Sequence, residues 1–471
     1  MATMQELANR KEYSEVYDRM KWLLPKQAEA AASTRNSLVD LIASHPESNW
    51  AYSQTKLYTH AISPGCALCG QGEWSCLFIN GICNARCFYC PTSQDDSGPP
   101  MANAIVFDDP RDYADYVSRF HIKGVGFSGG EPFLTFNRVL SYLETLKARA
   151  DHPVYTWMYT NGKLVNREKL SALRDGGLDE IRFDLSANQY RWGVLEQALD
   201  VIPRVAVEIP AIPEDISIVK QLIIDLEQLG VDFLNLHQIR CTRFNVKHLI
   251  DRGYTFIHGP KVTVLETELT ALELIRYALE RSIELPINYC AFTFRHQYQQ
   301  MGVRKRNAIE IKAGCEDITP TGHIRHMKIV GKVNTIAEIC QSLLSRQIEN
   351  SRYLFSSKKD SVSFAAELWP LIDFSNVRLN VSYCLAVLRP AVSYHHPFKK
   401  IVLNKGKTLV VEKQAIQPAF WLEGEQIDLF GQMIHHPEGM VPHQLGDTLA
   451  PEQFDRMVAF EAVSQGLASY C

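Results

Sequence analysis

The chain has 471 residues, 46% of them hydrophobic, with 49 Lys and Arg against 53 Asp and Glu and a net charge of −4. That length suits one large domain with additions, or two to three domains. The near-balance of charge gives no electrostatic footprint for nucleic acid or an anionic membrane, and no apolar run approaches the ~20 residues that span a bilayer.

The opening stretch, "MATMQELANRKEYSEVYDRM", is too polar and acidic for a secretory leader, so a cytoplasmic protein is expected. In that setting cysteines serve as metal ligands or catalytic groups more often than as disulfides. The chain has 12, and six of them fall between residues 66 and 90.

Residues 1–62 read as a helical extension, because "MQELANRKEYSEVYDRMKWLL" and "AEAAASTRNSLVDLIAS" carry apolar residues at three- and four-residue spacing. "ISPGCALCG" breaks the pattern with Pro64, Gly65 and Gly70. From residue 77 short β-rich runs alternate with amphipathic helical stretches. The expected strands are "LFIN" (77–80), "GVGFS" (124–128), "VYTWMYT" (154–160), "EIRFDLS" (180–186), "RVAVEIP" (204–210) and "DFLNLHQ" (232–238). Alternating units of this kind form a parallel sheet with right-handed crossovers. Six are too few for an eight-stranded barrel, so a curved, open (β/α)6 barrel is expected, with its chemistry at the C-terminal strand ends. A long helix over about 263–282 follows. The barrel domain is assigned to residues 63–320. Residues 321–471 lose the rhythm and read as a mainly β or α+β extension. "SVSFAAELWP", "VRLNVSYCLAVLRP", "KKIVLNKGKTLVVEK" and "AFWLEGEQIDLF" are read as strands there, with a helix near 451–467. This extension is the expected source of substrate selectivity, as a cap or a peptide-binding module.

Directly after the first strand, "GICNARCFYCPT" places Cys83, Cys87 and Cys90 in the spacing C-x3-C-x2-C. Structural zinc closes its shell with four ligands, commonly from paired C-x2-C units. Three thiolates on one loop instead suit three corners of a cubane iron–sulfur cluster, leaving the fourth iron open to a ligand. At the end of the second strand comes "FSGGEPFL". There Gly129 and Gly130 permit a close backbone approach, and Glu131 and the neighbouring backbone can bind an amino group.

Together, C-x3-C-x2-C with Tyr89 before the last cysteine, and Gly129-Gly130-Glu131-Pro132 after the second strand, resemble the radical S-adenosylmethionine (radical SAM) superfamily over residues 77–240. The resemblance implies a [4Fe–4S] cluster whose open iron chelates S-adenosylmethionine. Reductive cleavage to methionine and a 5′-deoxyadenosyl radical follows, with hydrogen abstraction from a peptide, protein or small metabolite. It also implies an electron donor such as flavodoxin or ferredoxin, and an oxidoreductase or transferase class. The alternative is a non-catalytic iron–sulfur or zinc protein that binds a partner. Strand-end residues expected near the cofactor are Asn161, Asp184, Ser186, Glu208, Pro210, His237 and Gln238.

A second set, Cys66, Cys69 and Cys76 in "PGCALCGQGEWSC", precedes the first strand. A C-x2-C followed by Gly reads as a metal knuckle. Cys290 in "INYC" is the expected fourth ligand, with Cys315 in reserve, of an auxiliary [4Fe–4S] cluster or a zinc ion. A basic helix with Arg295, Arg304, Lys305 and Arg306 is expected to balance its charge. "GCALCG", "GLDEIRFD" and "NYCAFTFRHQYQQMGVRKRNA" further resemble a radical SAM group related to pyruvate formate-lyase activating enzymes. Cys241, Cys340, Cys384 and Cys471 read as structural thiols. The pairs His395–His396 and His435–His436 read as surface or packing residues, because neighbours on a strand point to opposite faces.

Overall fold

The structure, a computed structural model, describes residues 4–435 and 442–470. His436 and Cys471 lie outside the described residues. The chain forms two compact units, residues 1–299 with 465–471, and residues 300–464.

The first unit opens with helices α1 (Met4–Glu12) and α2 (Pro25–Ala43). A hairpin of β1 (Ser48–Ala51) and β2 (Lys56–Thr59), then the short helix α3 (Pro64–Gln71), lead into β3 (Trp74–Ile82). Alternation then begins with α4 (Pro110–Arg119), β4 (Gly124–Gly129), α5 (Phe136–Arg149), β5 (Tyr155–Thr160), α6 (Arg167–Asp175) and β6 (Glu180–Phe183). It continues with α7 (Gly193–Leu199), β7 (Val205–Pro210), α8 (Ile216–Leu229) and β8 (Phe233–His237). After α9 (Val246–Asp251) and α10 (Leu265–Glu280), β9 (Ile287–Cys290) completes the series.

Strands β3 to β9 pair in parallel and in chain order, as six βα units with right-handed crossovers require. The antiparallel hairpin β1–β2 then extends the sheet beyond β9. No hydrogen-bonded pair among the described residues joins the two ends, so this is an open, partial barrel.

The two faces of the sheet differ in polarity. Leu77, Val125, Phe127, Met158, Ile181, Val207, Ile209, Leu234, Leu236 and Ile287 are fully buried and alternate with the positions described next. Their face meets the helices, whose apolar stripes include Val139, Leu143 and Leu146 on α5 and Val219, Leu222, Ile223 and Leu226 on α8, at helical spacing. The other face carries Cys76, Ser128, Tyr159, Glu180, Arg182, Glu208, Asn235, His237, Asn288 and Cys290. The period of two along a strand, with the observed registers, puts them all on the inside. Small barrels fill such an interior with side chains or hold one small ligand; here a cavity remains among these polar side chains, which marks it as the working volume.

Several elements depart from expectation. Residues 48–59 form the hairpin rather than helix. Its turn uses left-handed backbone at Tyr52, Ser53 and Gln54 (φ 54, 53 and 59°) without a glycine to announce it. Its second strand pairs with β9, Leu57 against Tyr289, a long-range partner that local periodicity cannot reveal. The seventh parallel strand, β9, is only four residues long. The first helix ends at Glu12 and is followed by a 3-10 turn at Tyr17–Arg19. The first unit ends at Gln299, and residues 300–320 fall in the second.

The second unit is α+β. Its antiparallel seven-stranded sheet is built around Ile324–Gly331, Val377–Arg389 and Thr408–Leu422. Helices Val333–Ser345 and Glu425–His435 contribute Ile336, Leu343, Ile427 and Phe430 to one core with Leu379, Val381, Phe420 and Leu422. "AFWLEGEQIDLF" is therefore strand only to Leu422 and helix from Glu425, the change falling at Gly424, which takes a left-handed φ of 52°. Arg325, buried in this unit, is ion-paired to Glu461 at 2.7 Å. Cys340 lies in this core and Cys315 is buried. Of the histidine pairs, His395 is exposed and His435 packs edge-on against Trp369. Among the described residues no helix is long and apolar enough to cross a membrane.

Candidate active site

The polar interior of the barrel surrounds a cavity of about 400 Å³. Cys83, Cys87 and Cys90 line it from the loop that leaves β3, at the C-terminal end of the sheet. The loop is held by its own backbone, Cys83 N–H to the Gln94 carbonyl at 3.1 Å and Cys90 N–H to the Cys87 carbonyl at 3.1 Å. A second element grips it from outside, since Asn245 Nδ2 donates to the Tyr89 carbonyl at 2.9 Å and Phe88 packs against Tyr254. The Arg252 guanidinium lies 3.6 Å from the centre of the Phe88 ring. All three cysteines are partly buried and line the cavity.

Burial raises the Cys83 thiol, and burial with Asp184 nearby pushes Cys87 up to about 12. Neither has the lowered pKa of a reactive thiolate. Tyr89, the aromatic between the cysteines, donates its hydroxyl to Asp184 Oδ2 at 2.9 Å and contacts Ser186 Oγ at 2.5 Å. Asp184 and Ser186, at the end of β6, therefore fix the cysteine loop to the barrel rim.

The Gly-Gly-Glu-Pro stretch ends β4. A Cβ on Gly129, whose φ is +129°, would lie 2.0 Å from the Asn80 carbonyl oxygen; one on Gly130 would lie 1.9 Å from that of Ile82. The atoms that demand glycine are thus the backbone of β3 just before Cys83, and the requirement is met without any ligand. Gly130 N–H and Glu131 N–H donate to those same two carbonyls at 3.0 and 2.7 Å. Glu131 is buried, and its carboxylate accepts from Phe133 N–H, Thr160 Oγ1 and Asn161 N–H at 3.0, 2.9 and 2.8 Å. Burial raises its carboxyl above the usual range despite these donors. Asn161 in turn donates to Asn84 Oδ1 at 2.7 Å and lies 3.8 Å from Cys83 Sγ. One chain of contacts therefore ties the ends of β3, β4 and β5 to the cysteine loop. Pro132 opens the short 3-10 turn that follows.

The second cysteine set is brought together only in part. Cys66 and Cys69, one turn apart on α3, are buried. Burial and then Cys66 raise the Cys69 thiol, with Cys290 also in its field. Cys66 Sγ lies 3.6 Å from Asn235 Oδ1 and 3.7 Å from Asn288 Nδ2. These asparagines face each other across β8 and β9, two residues before the facing pair His237 and Cys290. Cys76 stands on β3, at the other end of this run of strands; its neighbours are Ser128 and Glu208. Of the expected basic helix, Arg295 lines the cavity from a π-helical turn, Arg295–Gln299. Arg304 belongs to the second unit, where it donates to the Thr321 carbonyl at 2.8 Å, and Lys305 and Arg306 belong to that unit too.

Glu208 lies beside Arg182, whose Nη1 donates to it at 2.8 Å while Nε donates to Glu180 at 2.7 Å. Burial would raise the Glu208 carboxyl, but Arg182 and His237 outweigh it and leave it below the usual range. Burial, Arg295 and Lys56 hold the His237 imidazole down at about 4. Pro210 and Gln238 also line the cavity. Sequence reasoning missed Lys56, Arg182, Asn235 and Asn288. The available signal was a polar residue inside a short apolar run, as in "EIRFD", "FLNLH" and "INYC", where a buried strand has one polar face.

Residues 77–202 match the family model of the radical SAM superfamily. A protein of Methanocaldococcus jannaschii, named as a candidate glycyl-radical enzyme activating enzyme, is 28% identical over 298 residues, covering 60% of this chain and 78% of its own. Among solved structures, SuiB of Streptococcus suis bound to S-adenosylmethionine is 13% identical, with a TM-score of 0.32 over 46% of this chain and 51% of its own. The radical S-adenosylmethionine methyltransferase TsrM of Kitasatospora setae, with cobalamin and a [4Fe–4S] cluster bound, is 12% identical, with a TM-score of 0.27 over 36% and 38%. This chain spans about half the length, or less, of the solved chains it matches.

Proposed function

We propose that this chain, a radical SAM enzyme, abstracts a hydrogen atom from a peptide or protein substrate, in the manner of an activating enzyme. The observation that carries the reading is the loop of Cys83, Cys87 and Cys90, with three partly buried cysteines lining the cavity inside the barrel. The residues fit a [4Fe–4S] cluster. There are three thiols for four corners, and they are spread more widely than one ion would draw them: no three of these ligand atoms lie within 4.8 Å of one another among the described residues. A single zinc would bring its sulfurs to within about 4 Å. When bound, the cluster with S-adenosylmethionine supplies one electron that breaks the S–C5′ bond, giving methionine and a 5′-deoxyadenosyl radical that leaves as 5′-deoxyadenosine after taking a hydrogen atom.

The chain's own residues bind, orient and exclude water. Cys83, Cys87 and Cys90 hold the cluster, and the Asp184–Ser186–Tyr89 contacts keep the loop at the rim. Backbone at Gly129, Gly130 and Glu131, with Asn161, borders the open side of the loop, where the amino-acid end of S-adenosylmethionine would lie. Asp184, Glu208 and Pro210 are the candidates for its nucleoside. The cavity walls keep bulk water from a radical that would otherwise be quenched. The name of the M. jannaschii relative favours a glycine residue of a partner protein as the site of abstraction. A low-potential flavodoxin or ferredoxin in the reducing cytoplasm would supply the electron.

The test is anaerobic reconstitution followed by reduction with dithionite. The expected product is 5′-deoxyadenosine. With the partner enzyme present, a glycine-centred doublet is expected in the electron paramagnetic resonance spectrum. Protein with a verified cluster that releases no 5′-deoxyadenosine, with or without substrates, refutes the reading.

A further inference from the structure

The geometry points to a second, closed metal centre inside the barrel, an iron–sulfur cluster held by Cys66, Cys69, Cys290 and the imidazole of His237. This goes beyond the radical cluster and does not depend on which substrate the enzyme takes.

Topology comes first. His237 and Cys290 end adjacent parallel strands in direct register and on the inner face. One step below them, Asn235 and Asn288 also face each other, and Cys66 Sγ rests on that pair at 3.6 and 3.7 Å. No three of the ligand atoms of Cys66, Cys69, His237 and Cys290 lie within 4.8 Å of one another among the described residues, a spread too wide for a single ion but suited to the corners of a cubane. Cys76, expected from sequence as one of the four ligands beside Cys66, Cys69 and Cys290, sits on β3, six strands from β9 along the sheet.

Charge closes the argument. Arg182 is buried and ion-paired with Glu180 and Glu208. Lys56 is also buried, with its ammonium 4.2 Å from the centre of the Phe294 ring, and it faces Cys69 and Cys290. Arg295 donates one bond to the Gln238 carbonyl at 2.8 Å, and its buried Nε has no partner. Neither Lys56 nor Arg295 has an ion-pair partner among the described residues. Around these ligands the cations Lys56, Arg182 and Arg295 outnumber the carboxylates Glu180 and Glu208, although Arg240, Glu131 and Asp184 also line the wider cavity, and a local excess of buried cation is costly unless offset. A [4Fe–4S]2+ core on three thiolates and a neutral imidazole carries one negative charge and works in that direction. Binding releases the three thiol protons and takes up two ferric ions, two ferrous ions and four sulfides, which together make the 2+ core.

The test uses full-length protein lacking the radical cluster through Cys83→Ala, Cys87→Ala and Cys90→Ala, reconstituted anaerobically with iron and sulfide. About four irons per chain should remain, as for one cubane. His237→Ala should reduce them to fewer than one, and His237→Cys should restore them. Cys76→Ala should leave them in place. In the reduced protein grown on 15N-histidine, pulsed paramagnetic resonance should show one strongly coupled imidazole nitrogen, a readout that needs no substitution at His237. Iron retained in His237→Ala but lost in Cys76→Ala overturns the ligand assignment and leaves the second centre standing. A background variant holding no iron overturns the second centre itself, and neither result bears on cleavage by the radical cluster.

Discussion

The two cysteine sets face one cavity but are built on opposite plans. Cys83, Cys87 and Cys90 come from eight consecutive residues of one loop, are partly buried and have the carboxylates of Glu131 and Asp184 for neighbours. Cys66, Cys69 and Cys290 come from a helix and a strand more than 200 residues apart in the chain, and they lie among Lys56, Arg182 and Arg295. A site on one loop, anionic and open on one side, suits a cluster that must exchange a ligand at every turnover. A site closed by distant elements and lined with cations suits a group that stays bound. On the proposed reading, the charge around each cysteine set and the number of chain elements that build it, rather than the cysteine motif alone, separate the two roles.

The largest effect that can break this comparison is loss of the loop ligands. The triple variant Cys83→Ala, Cys87→Ala, Cys90→Ala should fall to background in 5′-deoxyadenosine formation while keeping the iron of the inner site. Cleavage that survived there would mean that the inner set carries the reactive cluster, reversing the roles.

Next in size is Gly130→Val. Its Cβ would overlap the Ile82 carbonyl, so the strand end that carries Cys83 must move. A cost at the upper end of overpacking, about 3 kcal/mol, is expected, read as a lower denaturant midpoint. Iron at the loop should drop with it, while the inner site keeps its own. A variant with wild-type stability and weakened S-adenosylmethionine binding would show that the cofactor, rather than β3, is what meets this glycine.

How much of this was legible in the sequence follows from the range of the interactions. All six expected strands formed, "GVGFS" as β4 and "RVAVEIP" as β7 to within a residue, because buried parallel strands are locally apolar and bounded by turns. C-x3-C-x2-C was legible because its ligands are neighbours in the chain. The hairpin at 48–59 was not, since its stability comes from β9 and its turn carries no glycine. Nor was the inner site's composition. Lys56 reads as a surface residue and becomes buried only when β2 pairs with a strand about 230 residues on. Cys76 looked like a ligand because it follows Cys69 closely, but a strand lies under it and a helix under its neighbours. The glycine pair was seen, yet its partner was assigned to a ligand, because sequence cannot show that β3 and β4 converge.

A smaller effect is expected from Glu131→Gln. Two backbone N–H donors and one hydroxyl converge on this carboxylate, and an amide in its place must turn an NH2 towards one of them. Loss of a charge-assisted bond costs about 1.5–3 kcal/mol, here as destabilisation of the loop side alone. Equal loss of iron from both sites would mean that the two share one cooperative unit.

The smallest is Tyr89→Phe. The ring stays packed against Phe88, so no cavity opens and the loop keeps its backbone bonds. What goes is the hydroxyl that reaches Asp184 Oδ2 and Ser186. Ser186 Oγ still donates to Asp184 Oδ1 at 2.5 Å, and Ala187 N–H approaches the same oxygen at 3.3 Å, so only Oδ2 loses its donor. A buried acceptor left short costs about 1–3 kcal/mol, and the cavity beside Asp184 gives water access, which favours the lower figure. Stability should fall by about 1 kcal/mol with full iron at both sites. If the hydroxyl also positions the cysteine loop against β6, 5′-deoxyadenosine formation should slow by several-fold at unchanged cluster content. An unaltered rate would confine Tyr89 to holding the rim, and would leave the alignment of the loop to Asn161 and the backbone of β3.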